Sequence, residues 1–201
     1  MESANESEAT RRAIIDEASA VDRAVYAAIA DVATPTLDAP IRRLSDAANY
    51  SRLWLAIAAV LAVIGGARGR RAAASGLISI GITSAVVNLG IKPVARRRRP
   101  DRAGEEVPEA RQVHMPSSTS FPSGHSASAF AFASTVNDEF PGLAAPLLFL
   151  AGGVAYSRVH TGVHYPGDAI IGSLIGASVG GVVAGTSRWL QRRALASHPS
   201  G

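Results

Sequence analysis

The sequence predicts an all-α, integral membrane helical bundle of about five spans, preceded by an amphipathic N-terminal helix. Two observations carry this prediction. Apolar residues make up 47% of the 201 residues, whereas charged residues make up only 18%. The charges are also separated from long apolar runs instead of forming a polar stripe along them. These runs are rich in Gly and Ala, which is typical of helices that pack closely in lipid.

Five runs are candidates for membrane spans. Runs 72–91, 140–157 and 169–187 have 20, 18 and 19 residues, close to the ~20 residues that cross a bilayer. Run 53–67 has 15 residues and run 123–137 begins with small polar residues, so these two are weaker candidates. A soluble helical bundle is the alternative, but most of the runs lack the polar face of a surface helix. Close helix packing in lipid is expected at Gly172, Gly176 and Gly180.

The segments before the spans have a different composition. Residues 1–20 are polar and acidic, without the apolar core of a signal peptide, and are expected to form a flexible tail. Residues 21–49 carry apolar side chains at helical spacing, which predicts amphipathic interfacial helices divided by Pro35 and Pro40. These apolar positions are Val21, Val25, Ile29 and Val32.

A membrane-embedded domain is expected over residues 50–190, followed by a C-terminal tail over 191–201. The chain has no cysteine, which excludes disulfides and thiolate chemistry. Consecutive spans cross the membrane in alternate directions, so Lys92, His125, Arg158 and Asp168 are predicted to lie on one face. The opposite face is expected to receive the short loops 68–71 and 138–142.

The first charged cluster is KPVARRRRP, at 92–100. An arginine run at the end of a span favours an anchor to anionic lipid headgroups. The lack of interleaved aromatic residues argues against nucleic acid. Lys92, the only lysine in the chain, and Arg99 also offer two phosphate ligands of different shape.

The second cluster is FPSGHS, at 121–126. Pro-Ser-Gly before an apolar run predicts a helix start, whose unpaired N–H groups and dipole form an anion cradle. Ser123 could add a hydroxyl donor, Gly124 lets a ligand approach the backbone, and His125 would stand in the first turn. An ordinary capped helix with a surface histidine is the alternative.

The third cluster is SRVHTGVHYPGD, at 157–168. Arg158 is a bidentate anion ligand at the end of a span, and Asp168 could fix the tautomer of His164 by a hydrogen bond to one ring nitrogen. His160 fits neither role and is expected to be a polar loop residue or a residue behind the site. A metal bound by both histidines is the weaker alternative, since no carboxylate cluster completes it and the arginines would repel a cation.

Together the clusters describe a phosphate site, and with them the sequence resembles the type 2 phosphatidic acid phosphatase family, which is related to the vanadium haloperoxidases. Three motifs carry the resemblance, and all are intact and in order over residues 92–168. The first is Lys92, six residues, then Arg99 and Pro100. The second is Pro-Ser-Gly-His at 122–125. The third is Ser-Arg, five residues, His, three residues and Asp at 157–168.

The resemblance implies the helical membrane fold of this family and a role for each motif residue. His164 would be the nucleophile that forms a phosphohistidine, Asp168 would orient it, and His125 would protonate the leaving group and then help to activate water. The phosphate-binding residues would be Lys92, Arg99, Ser123, Gly124 and Arg158. The resemblance implies no metal and no cofactor.

The predicted function is therefore a metal-independent membrane phosphatase that hydrolyses a lipid phosphate or pyrophosphate monoester. Phosphatidic acid, phosphatidylglycerophosphate, a polyprenyl pyrophosphate and a polyprenyl phosphosugar phosphate of cell-wall synthesis all stay open as substrates. A haloperoxidase and a non-catalytic lipid-binding protein are the alternatives from other classes. The expected partners are the lipid substrate and membrane lipids, with a second copy of the chain as a further candidate and no nucleic acid. The expected location is a bacterial cell membrane, with the site facing outward.

Overall fold

The computed structural model describes residues 2–197, and within that range it contains eight α-helices and no β-strand. The helices are α1 Glu2–Asp31, α2 Pro35–Ala47, α3 Arg52–Ile64, α4 Gly66–Ala85, α5 Lys92–Ala95, α6 Gly124–Glu139, α7 Ala144–His160 and α8 Pro166–Ala196. A π-helical segment, Val86–Ile91, joins α4 to α5. The predicted all-α class is confirmed.

The N-terminal region is more helical than expected. A single helix, α1, covers residues 2–31, where the sequence suggested a flexible tail over 1–20 and short helices after it. Met1 lies outside the described residues. The chain breaks before Pro35, which occupies the first turn of α2, where its missing N–H leaves no hydrogen bond unmade. Pro40 lies inside α2, so the predicted break at that residue is wrong.

Three helical stretches in the described part of the chain are long and apolar enough to cross a membrane. They are Gly66–Ala95, Pro141–His160 and Pro166–Ala196, and they correspond to three of the predicted spans. The pair α2 and α3 is a fourth candidate, but it is bent by 66°. The predicted span in α6 has only 16 helical residues, so the count of five is not confirmed. The last stretch also continues through most of the predicted tail 191–201, of which 198–201 lie outside the described residues.

The turn between α3 and α4 falls earlier than predicted, at Gly65 and Gly66. Gly66 has φ of 57°, a left-handed conformation that glycine adopts without strain. A Cβ atom on Gly69 in α4 would collide with the carbonyl oxygen of Leu61 in α3, so the two helices meet backbone to backbone. The predicted loop at 68–71 is therefore wrong, because its arginines lie in the first turns of α4.

The helix α6 lies between α4, α7 and α8 and forms the centre of the bundle. Its ring of Phe132 is fully buried and packs against that of Trp54 in α3, with ring centroids 5.4 Å apart. Ala151 and Val154 of α7 belong to the same core cluster. This core fixes the position of the start of α6 next to the ends of α4 and α7.

The contact between α6 and α8 is formed by the predicted row of small residues. A Cβ atom on Gly172, Gly176 or Gly180 would collide with a backbone carbonyl oxygen of the chain from Ser123 to Ala131. The close packing expected from this glycine spacing is therefore confirmed. As a result, the first turn of α8 sits directly against the first turn of α6.

Substituting Gly176 with Ala should lower the free energy of unfolding by about 1–3 kcal/mol, because the added methyl group forces two backbones apart. Gly181→Ala is the matched control, since a Cβ atom there meets no atom within 4 Å. Unfolding in mixed detergent micelles, followed by circular dichroism, measures both. Equal stability of the two variants would contradict the proposed backbone contact.

Candidate active site

A cleft of about 220 Å³ lies where the three sequence clusters meet. Lys92, Arg99, Gly124, His125 and His164 all line it. These residues come from the end of the Gly66–Ala95 helix, the following loop, the start of α6 and the turn after α7. The alternation of spans predicted that these ends would share a face, and the cleft brings them together.

His164 is held by the carboxylate behind it. Asp168 lies in the first turn of α8, is fully buried, and accepts hydrogen bonds from the hydroxyl of Ser120 and, at 3.0 Å, from the backbone N–H of Tyr165. His164 Nδ1 lies 3.5 Å from Asp168 Oδ2 and 3.5 Å from Ser120 Oγ. A proton on Nδ1 would therefore face these oxygens, which leaves the lone pair of Nε2 directed away from them.

The environment of His164 keeps its imidazole neutral. Burial lowers its pKa to about 4; Asp168 opposes this effect, whereas the positive charge of Arg99 adds to it. Arg99 Nη1 lies 3.3 Å from His164 Nε2. At neutral pH the Nε2 lone pair is thus available, next to a cation that can hold an anionic group.

His125 lies across the cleft in the first turn of α6. Its Nε2 is 3.0 Å from the amide oxygen of Asn49, which can only accept, so this nitrogen carries the proton. Asn49 begins a short 3₁₀ turn between α2 and α3, where Tyr50 and Ser51 both have positive φ. This tight turn places a hydrogen-bond acceptor beside the histidine that the sequence predicted to be an acid.

One serine orients both cations of the cleft. Lys92 Nζ donates to Ser118 Oγ at 3.1 Å, and Arg99 Nε donates to the Ser118 carbonyl at 2.8 Å. Arg99 Nη1 also donates to the carbonyl of Val163, one residue before His164, at 2.6 Å. A compact ammonium and a planar guanidinium are therefore presented side by side, which suits a phosphate with several oxygens.

Two predicted phosphate ligands do not line the cleft. Ser123 is the N-cap of α6: it is fully buried, and its hydroxyl oxygen accepts from the backbone N–H of Ser126 at 3.4 Å. Arg158 is 1% exposed and donates to Ser45 Oγ at 2.6 Å, while its Nε has no partner among the described residues. The Arg158 carbonyl accepts from the backbone N–H of His164 at 3.1 Å, and the Arg158 guanidinium also acts on His164 through its charge.

His160 belongs to a separate buried cluster. Its Nε2 lies 3.1 Å from Asp38 Oδ1, which also accepts from Arg111 Nε at 2.9 Å and from Thr34 at 2.8 Å. The cluster ties the end of α7 to α2 and to the loop before α6. His160 is thus a buried residue at the end of a helix that holds this loop, and it is not a polar loop residue.

The sequence did not indicate four other residues around the site. They are Asn49, Ser118, Ser120 and Arg97, which pairs with Asp168 at 2.8 Å. Ser120 and Arg97 lie next to or inside quoted motifs, so their position along the chain was a usable signal. Asn49 is 76 positions from His125, and no motif connects the two.

Comparison with known proteins shows the family of this chain. Residues 72–192 match the model of the PAP2 superfamily. The chain belongs to the PAP2 superfamily. It is an integral membrane phosphatase of the lipid-phosphate type, as the three motifs predicted.

Two relatives are similar to this chain in sequence. The decaprenylphosphoryl-5-phosphoribose phosphatase of Mycobacterium tuberculosis is 36% identical over 173 residues, covering 86% of this chain and 92% of the relative. The protein of the same name from Mycolicibacterium smegmatis is 38% identical over 149 residues, covering 74% of this chain and 77% of the relative.

Two crystal structures have the same fold. The PAP2-type phosphatidylglycerolphosphate phosphatase of Bacillus subtilis superposes with a TM-score of 0.69 at 22% identity, covering 86% of this chain and 87% of that one. Aquifex aeolicus LpxE gives a TM-score of 0.64 at 25% identity, covering 79% and 92%. The predicted membrane fold of this family is confirmed.

Proposed function

We propose that this membrane lipid phosphatase removes the terminal phosphate from a polyprenyl-linked phosphosugar, through a phosphohistidine on His164. One observation carries the proposal. The cleft that holds the two histidines and two cations is also lined by uncharged hydrogen-bonding residues. A phosphate and a hydroxylated leaving group can therefore both find hydrogen-bonding partners in one cleft.

In the first step, His164 Nε2 attacks the phosphorus while the bond between phosphorus and the sugar oxygen breaks. His125 acts as an imidazolium, which the bound phosphate dianion stabilises, and it passes one proton to that oxygen, so the sugar leaves as an alcohol. Lys92 and Arg99 neutralise the charge of the phosphoryl oxygens, as phosphoryl transfer requires. The Asp168 carboxylate stabilises the positive imidazole that forms, because it lies on its Nδ1 side.

In the second step, water attacks the phosphorus and the bond to His164 breaks. His125, which has lost its proton to the sugar, accepts one from the water. Inorganic phosphate leaves, and both histidines return to their starting state. Each step needs only the chain's own residues and a water molecule.

The uncharged wall consists of Ser84, Asn88 and Ser128, and all three line the cleft. Asn88 Nδ2 donates to Ser84 Oγ at 3.1 Å, so the pair leaves an amide oxygen and a hydroxyl proton to offer to a ligand. Asn88 lies in the π-helical segment, four residues before Lys92. Such segments are rare and are often found at functional sites.

This wall suits a sugar better than phosphatidic acid or a polyprenyl pyrophosphate, two of the substrates that the sequence left open. A diacylglycerol leaving group carries no free hydroxyl, and a polyprenyl pyrophosphate carries only hydrocarbon beyond its phosphates. A sugar ring presents hydroxyls that both donate and accept hydrogen bonds. The relatives named decaprenylphosphoryl-5-phosphoribose phosphatase, which cover most of this chain, support the same substrate class.

We also propose that the site faces outward from the cell membrane. Six arginines lie at the opposite ends of the helices, where they favour the cytoplasm by the positive-inside rule, whereas Arg96 to Arg99 and the N-terminal arginines oppose this orientation. The six are Arg68, Arg70, Arg71, Arg188, Arg192 and Arg193. Of the arginines on the site's own face, Arg97 is held in ion pairs and Arg99 lines the cleft.

Replacing His164 with Ala should reduce phosphate release about a thousandfold or more, since no other group can form the covalent intermediate. Phosphate release from a lipid phosphate in detergent measures this, and wild-type activity should survive EDTA and be blocked by vanadate. His160→Ala is the control, expected to keep far more activity than His164→Ala. Full activity of the His164 variant would exclude the phosphohistidine mechanism.

A substrate panel tests the sugar. The wild-type kcat/KM should be at least about tenfold higher for a polyprenyl-phosphoryl phosphoribose than for phosphatidic acid. Asn88→Ala should lower the ratio of the two kcat/KM values about tenfold, whereas the remote Ser178→Ala should leave this ratio unchanged. If the enzyme preferred phosphatidic acid, the lipid phosphatase activity would still hold, but the proposed phosphosugar substrate would be wrong.

Cysteine labelling tests the orientation, because the chain contains no native cysteine. Glu105→Cys lies in an exposed loop on the site's face, and Gly142→Cys lies in the exposed turn on the other face. A membrane-impermeant maleimide added to intact cells should label the first variant and spare the second until the cells are lysed. The reverse pattern would mean that the site faces inward.

A further inference from the structure

A chain of polar contacts leads from α1 to the catalytic histidine. Asp22, in α1, accepts from Arg97 Nη2 at 2.7 Å, and Arg97 Nη1 donates to Asp168 Oδ1 at 2.8 Å. Asp168 in turn faces Nδ1 of His164. The Arg97 guanidinium also lies over the ring of Tyr165, 4.3 Å from its centroid.

Asp22 makes a second contact with the same helix start. Its Oδ1 accepts from the backbone N–H of Gly167 at 2.6 Å. A Cβ atom on Gly167 would lie 2.9 Å from Asp22 Oδ2, so the glycine leaves room for the carboxylate. Asp22 therefore holds both the cation and the backbone that fix Asp168, although α1 contributes no side chain to the cleft.

We propose that Asp22 is a positioning residue for the reaction, acting through Arg97 on Asp168 and His164. The inference rests on the proposed role of His164 as nucleophile. Asp22 and Asp168 share the single positive charge of Arg97. The part of that charge that acts on Asp168 sets how strongly Asp168 attracts the His164 imidazole. The helix α1 therefore helps to position the catalytic residues and is not an independent N-terminal segment.

The charges around Arg97 agree with a shared cation. Burial lowers the pKa of Arg97, but Asp168 and Asp22 outweigh burial and raise the pKa above its usual value. Asp22 is 11% exposed and Arg97 is 24% exposed, so water screens their pair only in part. The charged or titratable groups that face His164 from the other packed elements are Asp168, Arg99, Arg158 and His125.

Two substitutions should move the His164 pKa in opposite directions. In Asp22→Asn, the Arg97 charge acts on Asp168 and His164 without compensation, so the His164 pKa should fall by about half a unit. In Arg97→Gln, the Asp168 carboxylate loses its cation, so the His164 pKa should rise by about the same amount. NMR titration of histidine-labelled protein in detergent, without substrate, measures both.

The kinetic readout separates positioning from binding. Asp22→Asn should lower kcat about tenfold and change KM by less than about twofold, because Asp22 does not touch the substrate. In the Arg97→Gln background, Asp22→Asn should lower kcat by much less than it does in the wild type, because its effect on Asp168 runs through Arg97. Asp16→Asn on the same helix and Arg98→Gln in the same run are matched controls, since both residues are exposed.

Each outcome decides the inference. Shifts of the pKa in the same direction, or additive losses of kcat in the double variant, would overturn it. Asp22→Glu keeps the charge and should retain more of kcat than Asp22→Asn; equal loss in both, or failure of both to fold, would also overturn it. If His164→Ala stays active, the proposed mechanism fails first; if only Asp22→Asn is without effect, the mechanism stands and this inference alone is lost.

Discussion

The buried carboxylate of Asp168 is the constraint on which the site depends. A carboxylate without exposure to water is costly unless hydrogen bonds and opposite charge surround it. Here Ser120, Arg97 and the Tyr165 backbone supply them, and the positive end of α8 adds to their effect. Arg97 and Ser120 come from the loop before α6 and Tyr165 from the turn before α8, so satisfying one charge fixes both segments in a single arrangement.

The packing of α6 on α8 joins this constraint to the membrane fold. The backbone N–H of Ser123 donates to the carbonyl of Asp168 at 2.9 Å, and Gly172 allows the two main chains to approach so closely. The first turns of both helices are therefore one unit. His125 and His164 sit on opposite sides of the cleft because they flank this junction, which explains how helix packing sets the geometry of acid and nucleophile.

The sequence predicted the parts of the site that depend on fixed spacing. His164 and Asp168 are four residues apart, and the alternation of spans brings Lys92 and His125 to the same end of the bundle. Asn49 and Asp22 could not be predicted, since their contacts depend on how α1 and the turn after α2 fold back onto the core. Ser123 stays a predicted phosphate ligand, and its hydroxyl oxygen also caps the start of α6 by accepting from the backbone N–H of Ser126.

The helix α1 shows a different limit of sequence reading. Its first 20 residues are polar, which suggested a flexible tail, yet alanine and paired charges such as Glu8 and Arg12 favour a helix. These first residues form a helix without burying apolar side chains. The spacing of apolar residues therefore does not predict this part of the helix. The contact that links α1 to the site is polar, between Asp22 and Arg97, and a polar contact leaves no periodic signal in the sequence.

In the proposed function, catalysis and substrate choice use different parts of this molecule. The nucleophile, the acid and the cations come from helix ends and loops on one face, where the three family motifs fix them. The uncharged wall comes from the interior of α4, its π-helical continuation and α6, which lie outside those motifs except at their edges. Substitutions at Ser84, Asn88 and Ser128 can therefore change the leaving group without disturbing the phosphate site. This separation explains physically how one set of catalytic motifs can serve lipid phosphates with very different headgroups.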